Sequence, residues 1–294
     1  MLNQNSKILS ISHNDMDGVG CQIVLGNVFK NITYVNIDFK SVDADLRKID
    51  YKNYDYVFIT DIHPDKEETL NISNNIILLD HHDSAKRLHN VKKKRFIYTK
   101  KCATILTKRF VENLFDIKLE HLDWLCTIIN DYDMWIHEYP LSKRLNLLFY
   151  KYFETEFRNR FFDGVTKLKQ KELYYVMYHE EKLQEKINEL EVYDLEKVKV
   201  AVIIVSDYLN DLCDYLLRKK DYRVIIALNK KNKSISLRGN VEKLHLGNLL
   251  NELQLGGGHK NAAGLKKCYL EMLNEYVNVL EDIFYKEYPE MRKK

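Results

Sequence analysis

The sequence predicts an α/β protein with a parallel-sheet N-terminal domain, a helical connector and a smaller α/β C-terminal domain. Three observations support this prediction. Short β-branched runs alternate with amphipathic stretches over the first half of the chain. A charged, proline-free stretch follows over 151–195, and β-branched runs then return. We therefore predict domains over 1–150 and 196–294, joined by a connector over 151–195.

The first half of the chain alternates predicted strands with predicted helices. In order, these are a strand over 7–12, a helix over 18–29, a strand over 32–38, a short helix over 43–49, strands over 54–60 and 75–80, and mainly helical chain over 102–138. Such alternation is typical of a parallel sheet with helices on both faces.

The second half repeats the α/β pattern on a smaller scale. After the helical connector come strands over 197–206, 222–229 and 233–239, with a helix over 208–219. We find no internal repeat. These elements predict a second unit with its own core.

Composition narrows the class of protein. The net charge of +3 permits an anionic ligand without requiring one, and 45% hydrophobic residues are enough for a packed core. The five cysteines are scattered, without a CxxC pair, which predicts reduced thiols and a cytoplasmic location. We expect no signal peptide and no membrane contact. The oligomeric state stays open, a dimer included.

Histidine and aspartate side chains follow three of the predicted strands. They are His13, Asp15 and Asp17 after the first strand, Asp61 and His63 after the strand over 54–60, and Asp80, His81, His82 and Asp83 after the strand over 75–80. In a parallel sheet these strand ends meet at one edge. Converging carboxylates repel unless a cation neutralises them, and carboxylates with imidazoles suit Mn²⁺, Mg²⁺ or Zn²⁺. We favour two ions that share one carboxylate.

Each of these motifs also has a simpler interpretation. Asp17 is suited to cap the helix that follows it, and "DHHD" would suit a polar turn. The basic run "KKKRF" over 92–96 would fit contact with a nucleic-acid backbone or an ordinary solvated loop.

Glycines are concentrated in one segment near the C-terminus. Four of the 10 glycines fall in "GGGHKNAAG", residues 256–264. Successive backbone amides in a glycine run can bind an anion, and "HKNAAGL" is suited to start a helix, whose N-terminus would add to that effect. The alternative is a flexible turn.

Four motifs in this order, "HNDMDG", "TDIHP", "DHH" and "GGGHKNAAG", resemble the DHH phosphoesterase superfamily with its DHH-associated C-terminal domain. The resemblance covers nearly the whole chain. It includes RecJ-like exonucleases, the nanoRNase and pAp phosphatase group, and cyclic-dinucleotide phosphodiesterases. The first motif, "SHNDMDG", is most similar to the nanoRNase-like branch.

The resemblance implies roles for residues of the first domain. His13 and Asp15 would bind one metal ion, Asp17 and His81 the other, and Asp61 both. His82 would contact the scissile phosphate, and Asp80 would orient a histidine by a hydrogen bond. His63 and Asp83 match no role, and we expect them to be solvated loop residues.

Two further sets of residues follow from the resemblance. The fourth motif requires an aspartate at the end of a helix, where "LCTIINDYDMW" supplies Asp131 and Asp133. Asp131 directly follows the apolar run, so we favour it and keep Asp133 as the alternative. In the second domain, the implied substrate-binding residues are Arg238, Gly257, Gly258 and His259.

The implied activity is a Mn²⁺-dependent phosphodiesterase, with Mg²⁺ as the alternative ion. It would hydrolyse short oligonucleotides to nucleoside 5′-monophosphates by two-metal-ion catalysis. Alternatives are a 3′-phosphonucleotide phosphatase acting on pAp, a linear or cyclic dinucleotide phosphodiesterase, and a degenerate nucleotide-binding module. The intact set of motif residues argues against the last of these.

Overall fold

The computed structural model describes residues 2–258, 260–265 and 273–293. The chain divides into two compact units, Met1–Val176 and Met177–Lys294, so the division falls within the stretch predicted as a connector. Each unit is built on its own sheet, which confirms the predicted α/β class. Among the described residues, no helix has the length and apolar character needed to span a membrane.

The first unit has one parallel sheet. Its strands are β1 (Lys7–His13), β2 (Asn31–Ile37), β3 (Tyr56–Thr60), β4 (Ile76–Asp80) and β5 (Arg95–Ile97). Its helices are α1 (Met16–Gly26), α2 (Val42–Arg47), α3 (Ala103–Phe115), α4 (Asp123–Asp133) and α5 (Pro140–Arg160), and α6 (Gln170–Asn188) begins in it. The spatial order is β2-β1-β3-β4-β5, and every described pairing is parallel.

Alternating residues of each strand pack on opposite faces of this sheet. Ile8 and Phe58 belong to the cluster that also contains residues of α1, α3, α4 and α5. Leu9 and Val57, their chain neighbours, belong to the cluster on the other face, with α2. This period of two buries both faces, as expected of a parallel sheet between helices. Because β1, β3 and β4 are parallel and adjacent, their carboxyl ends lie side by side.

The second unit has a mixed sheet. Its strands are β6 (Val192–Asp194), β7 (Val200–Val205), β8 (Val224–Asn229), β9 (Ser234–Gly239), β10 (Gly256–Gly258) and β11 (Ala262–Leu265). Its helices are α7 (Leu209–Lys219), α8 (Leu246–Glu252) and α9 (Leu273–Glu287). The order is β10-β11-β9-β8-β7-β6, with β7 and β8 parallel and the other described pairs antiparallel.

The prediction that "HKNAAGL" starts a helix is wrong. Residues 256–258 and 262–265 form the hairpin β10–β11, and Ala262 pairs with Arg238 of β9. Alanine favours helices in isolation, but here the backbone hydrogen bonds of the neighbouring strand decide the conformation.

Candidate metal centre

Side chains that follow β1, β3 and β4 converge at the carboxyl edge of the parallel sheet. Among the described residues, four groups have ligand atoms within 4.8 Å of one another. The groups are His13–Asp15–Asp61, Asp17–His81–Asp133, Asp61–His81–His82 and His63–Asp80–His82. Because neighbouring groups share members, they form one continuous cluster.

The turn after β1 explains the sequence of the first motif. Asp15 accepts a hydrogen bond from the Gly18 N–H at 2.9 Å and so caps α1. A side chain at Gly18 would lie 2.2 Å from the His13 carbonyl oxygen, so the turn requires glycine. The other carboxylate oxygen of Asp15 is 2.8 Å from His13 Nδ1. The helix cap that the sequence suggested at Asp17 is therefore made by Asp15.

Asp17 links the cluster to a distant part of the chain. Its carboxylate accepts hydrogen bonds from the backbone N–H groups of Ala103 at 2.7 Å and Thr104 at 2.9 Å, at the start of α3. One of the same oxygens lies 3.7 Å from His81 Nε2. The negative charge suits a helix N-terminus, so this residue helps to fix α3 against the cluster.

Asp61 occupies the centre of the cluster in a strained backbone conformation. It follows β3 directly, has a φ of 59°, and is 1% exposed. Its Oδ1 lies 3.2 Å from His81 Nε2, and its Oδ2 lies 4.0 Å from His13 Nδ1. Asp61 therefore stands between the first and second histidine motifs, where a carboxylate shared by two ions would have to be.

Asp80 holds the histidines of "DHH" in place. Its Oδ1 accepts hydrogen bonds from the backbone N–H of His81 at 2.6 Å and of His82 at 3.1 Å, and lies 2.7 Å from His82 Nδ1. Its Oδ2 lies 2.6 Å from His63 Nδ1. Burial alone would raise the pKa of Asp80, but the charge of His82 and the hydrogen bonds from His63 and His82 hold this pKa well below its ordinary value.

The expectation for His63 is wrong. This residue is 4% exposed, with Nδ1 against Asp80 and Nε2 3.0 Å from Ser84 Oγ. Its position after β3 directs it toward β4 and not toward solvent. Asp83, by contrast, is largely exposed and forms a 2.6 Å ion pair with Lys86.

Replacing Asp80 with asparagine is expected to reduce Mn²⁺ affinity or turnover about 10- to 100-fold, the usual effect of removing a partner that orients ligand histidines. Asparagine keeps the size but loses the charge and one acceptor oxygen. Titration calorimetry with Mn²⁺ and steady-state kinetics measure the change. Asp83→Asn is the matched control and should match the wild type; an equal effect in both variants would contradict the role of Asp80.

The structure brings Asp133, and not Asp131, to the cluster. Asp133 Oδ2 lies 3.5 Å from His81 Nε2. The carboxylate of Asp131 instead accepts hydrogen bonds from the backbone N–H of Glu138 at 2.8 Å and of Tyr139 at 3.2 Å. Two residues along a helix turn through about 200°, so the two side chains leave α4 in nearly opposite directions. We therefore replace Asp131 with Asp133 in the proposed ligand set.

The electrostatics of the cluster fit a divalent cation. Burial and the charges of Asp17, Asp15 and Asp133 raise the pKa of Asp61 well above its ordinary value. Burial also raises the pKa of Asp133 to about 8, against the attraction of His81. Among the described residues, both carboxylate oxygens of Asp61, Oδ2 of Asp133 and Nε2 of His81 are buried without a hydrogen-bond partner. A cation would satisfy all of these atoms.

Phe39 is a site residue that the sequence analysis missed. It lies just after β2, and its ring centroid is 4.9 Å from that of His13, 5.1 Å from that of His82 and 5.8 Å from that of His63. The ring packs among the three imidazoles and limits their rotation. Its position after a strand could have indicated a site residue. A phenylalanine cannot bind a metal ion, however, so the search for metal ligands passed over it.

The glycine run has mainly a packing role in the second unit. An added Cβ would lie 2.0 Å from the Gly264 oxygen at Gly256, and 2.5 Å from the Ala262 oxygen at Gly258, where φ is also 146°. At Gly257, by contrast, nothing lies within 4 Å. Of the three glycines, Gly257 is therefore the one where packing does not require glycine.

Arg238 lies next to this hairpin. It pairs with Ala262, and its Nε and a terminal nitrogen lie 3.2 and 2.9 Å from Asn210 Oδ1. Gly258 pairs with Ala263 on the other side of β11. The fold thus brings Arg238 and Gly258 to the same end of the mixed sheet; His259 lies outside the described residues.

The lysines of the basic run "KKKRF" precede β5, at the amino end of the parallel sheet, and Arg95 and Phe96 begin that strand. Arg95 and Lys93 both pair with Glu67, at 2.7 and 3.3 Å. Lys94 donates to the Asn74 carbonyl, before β4. The run is thus partly neutralised; its lysines fit the solvated-loop interpretation, whereas Arg95 is 3% exposed within β5.

Known proteins resemble both parts of the chain. Residues 196–286 match the DHHA1 domain. Over 289 residues, the chain is 27% identical to the oligoribonuclease NrnB of Bacillus subtilis (strain 168). The alignment covers 86% of this chain and 71% of NrnB.

Solved structures share the fold. RecJ of Thermus thermophilus, in complex with Mn²⁺, matches with a TM-score of 0.59 at 13% identity, over 95% of this chain and 52% of RecJ. The pGpG-specific phosphodiesterase PggH from Vibrio cholerae matches with a TM-score of 0.57 at 14% identity, over 94% of this chain and 98% of PggH. Together with the order of the four motifs, the DHHA1 match over residues 196–286 makes the chain similar to the DHH phosphoesterase superfamily.

Proposed function

We propose that this protein is a metal-dependent phosphodiesterase that hydrolyses short oligonucleotides to nucleoside 5′-monophosphates. The observation that supports this most directly is the position of Asp61, a buried carboxylate without hydrogen-bond partners among the described residues, between two groups of ligand atoms. In the proposed arrangement, His13 and Asp15 would hold one cation with Asp61. Another group would hold a second cation with the same carboxylate: Asp17, His81 and Asp133.

Carboxylate and imidazole ligands without thiolates favour Mn²⁺ or Mg²⁺ in such a pair. When bound, two divalent cations would lower the pKa of water and balance the negative charge of the phosphate oxygens. We propose Mn²⁺ as the working ion, since imidazoles bind it better than they bind Mg²⁺. The Mn²⁺ complex of the structurally similar RecJ supports this choice.

His82 is proposed to bind the scissile phosphate. Asp80 is an acceptor only, so His82 Nδ1 must donate the 2.7 Å hydrogen bond between them. This fixes the ring, with its Nε2 directed away from Asp80. Nε2 then donates to a phosphate oxygen and stabilises the charge that builds there during in-line attack by water.

The second unit is proposed to bind a phosphate of the substrate. The Arg238 guanidinium offers charge-assisted hydrogen bonds to a phosphate, and the Gly257 backbone is open to a close ligand. Gly258 and His259, whose side chain is outside the described residues, complete the proposed set. The DHHA1 match over these residues supports a shared role in substrate binding.

Relatives support a short nucleic-acid substrate. NrnB is named an oligoribonuclease, and PggH a pGpG-specific phosphodiesterase, so a linear dinucleotide is the second candidate substrate. We also propose a cytoplasmic location, which four buried cysteines without disulfides support. They are Cys21, Cys102, Cys126 and Cys213.

The function is tested by a product-resolved assay on end-labelled 2-mers, 5-mers and 20-mers, with pAp alongside. Metal-free protein should be inactive, Mn²⁺ should restore activity, and 2-mers and 5-mers should yield 5′-monophosphates faster than 20-mers do. Release of inorganic phosphate from pAp alone would indicate a phosphatase instead. Full activity of the EDTA-treated protein would contradict a metal-dependent mechanism.

A further inference from the structure

His63 is buried beside the metal centre, with both ring nitrogens in hydrogen bonds. It is 4% exposed and lies two residues after Asp61. Its Nδ1 is 2.6 Å from Asp80 Oδ2, and its Nε2 is 3.0 Å from Ser84 Oγ. The segments that follow β3 and β4 are thus joined through this one side chain.

The direction of these hydrogen bonds follows from the chemistry of the partners. The pKa of Asp80 lies well below its ordinary value, so its carboxylate only accepts hydrogen bonds. His63 Nδ1 must therefore donate to it. The Ser84 hydroxyl can donate or accept, so it satisfies Nε2 of His63 whether or not that nitrogen carries a proton.

His63 holds one of the two oxygens of the Asp80 carboxylate. The other oxygen, Oδ1, receives the backbone N–H groups of His81 and His82 and the Nδ1 of His82. Among the described residues, only His63 donates to Oδ2. Because a carboxylate rotates as a rigid plane about its Cβ–Cγ bond, fixing Oδ2 also fixes Oδ1. The contact with His63 therefore limits the movement of the His82 ring.

Ring packing favours the same role. The ring centroids of His63 and His82 are 5.9 Å apart, and Phe39 lies 5.8 Å from the first and 5.1 Å from the second. In the described part of the chain, His63 belongs to one group of possible metal ligands, whose members are already joined to one another through the carboxylate of Asp80. These hydrogen bonds fit an orienting role better than coordination of an ion.

We propose that His63 is a positioning residue: through Asp80, it holds His82 in the orientation that binds the scissile phosphate. His63 itself would touch neither the phosphate nor a metal ion. A donor that is fixed before the reaction stabilises the charge on the phosphate without reorganisation. The inference rests on the proposed phosphodiesterase function and on the role proposed there for His82.

Two variants at this position separate the two ring nitrogens. In His63→Asn, the amide nitrogen lies near the place of Nδ1 and can still donate to Asp80; in His63→Gln, it lies near the place of Nε2 and reaches Ser84 instead. With saturating Mn²⁺ and a dinucleotide substrate, His63→Gln should lose about 10-fold or more in kcat, the usual effect of removing an orienting partner. His63→Asn should retain most of the wild-type kcat. KM and Mn²⁺ affinity should change little in either variant, because the contacts of Asp80 Oδ1 remain.

His121→Gln is the matched control. His121 is exposed, and its Nε2 lies 2.9 Å from Oδ1 of Asn27, just after the far end of α1, so this variant should match the wild type. Equal losses of kcat in folded His63→Asn and His63→Gln would overturn the proposal. A loss of kcat in the folded asparagine variant alone would do the same, and so would a loss of Mn²⁺ affinity as large as the loss of kcat.

A double-mutant cycle tests whether His63 acts through His82. In the background of His82→Ala, which removes the proposed phosphate contact, His63→Gln should cause little further loss of kcat. Additive losses would show that the two histidines act independently and would overturn the positioning role.

Nitrogen-15 NMR of the metal-free protein follows the same link without turnover. The His82 N–H that donates to Asp80 should give a downfield proton resonance, retained in His63→Asn and shifted or broadened in His63→Gln. An unchanged resonance in His63→Gln would overturn the positioning role even if the protein hydrolyses oligonucleotides. A shifted resonance in a protein without phosphodiesterase activity would support the link from His63 to His82 and contradict the proposed function.

Discussion

Replacing Asp61 with asparagine is expected to abolish hydrolysis and to stabilise the metal-free protein. The activity loss should reach about 10³-fold or more, because the variant lacks the charge that both cations would share. Asparagine has nearly the same size and readily adopts a positive φ, so the backbone at 59° is no obstacle.

The stability gain has a separate cause. In the metal-free protein, Asp61 is buried among Asp15, Asp17 and Asp133, and its own oxygens have no hydrogen-bond partner among the described residues. Removing its charge relieves this repulsion, by about 1–3 kcal/mol in the free energy of unfolding. Adding Mn²⁺ should then stabilise the wild type and have little effect on Asp61→Asn.

Thermal denaturation with EDTA and with Mn²⁺ measures both effects, alongside kinetics. Asp65→Asn is the control, since Asp65 is an exposed aspartate in the same segment. A variant that is inactive but less stable than the metal-free wild type would show that Asp61 has a structural role, and would contradict the shared-ligand hypothesis.

The second large effect is expected to separate Asp133 from Asp131. Asp133→Asn should lose about 10²- to 10³-fold in activity and weaken Mn²⁺ binding, because it removes a buried carboxylate next to His81. Asp131→Asn should bind Mn²⁺ normally. Its amide NH₂ would face the Glu138 or Tyr139 N–H, so we expect a loss of about 1–3 kcal/mol in the free energy of unfolding.

Anomalous scattering from crystals grown with Mn²⁺ decides the assignment. We expect density next to Asp133 in the wild type and in Asp131→Asn, and weaker density in Asp133→Asn. An ion coordinated by Asp131 would restore the assignment that the sequence favoured.

The sequence predicted the parallel sheet and its functional edge because both depend on local patterns. Buried runs such as Ile76–Asp80 have the length and composition of central strands, and the motifs follow those strands directly. The short strands β5, β6, β10 and β11 were not predicted. Three or four residues, some of them glycine, show no periodicity, and partner strands determine their conformation.

The local sequence pattern could not show whether Asp131 or Asp133 faces the cluster. Ile128 and Ile129 are both fully buried, so α4 is enclosed on the two faces that these aspartates continue. Neither face is marked by the sequence as the one toward the cluster. The loop amides of Glu138 and Tyr139, which take up the Asp131 carboxylate, become visible only in three dimensions.

The close packing of the glycine hairpin restricts substitutions in a second segment of the chain. A Cβ at Gly247, in α8, would lie 2.0 Å from the Gly258 carbonyl oxygen, closer than any atom can come. Gly247 lies nine residues before the "GGGH" motif and belongs to no recognised pattern. A side chain at Gly247 would push β10 away from α8, and one at Gly256 or Gly258 would push β10 away from β11, so β10 is confined by close contacts on two sides. Packing alone would therefore tolerate a side chain at Gly257 but not at Gly247, so any requirement for glycine at position 257 must come from a ligand.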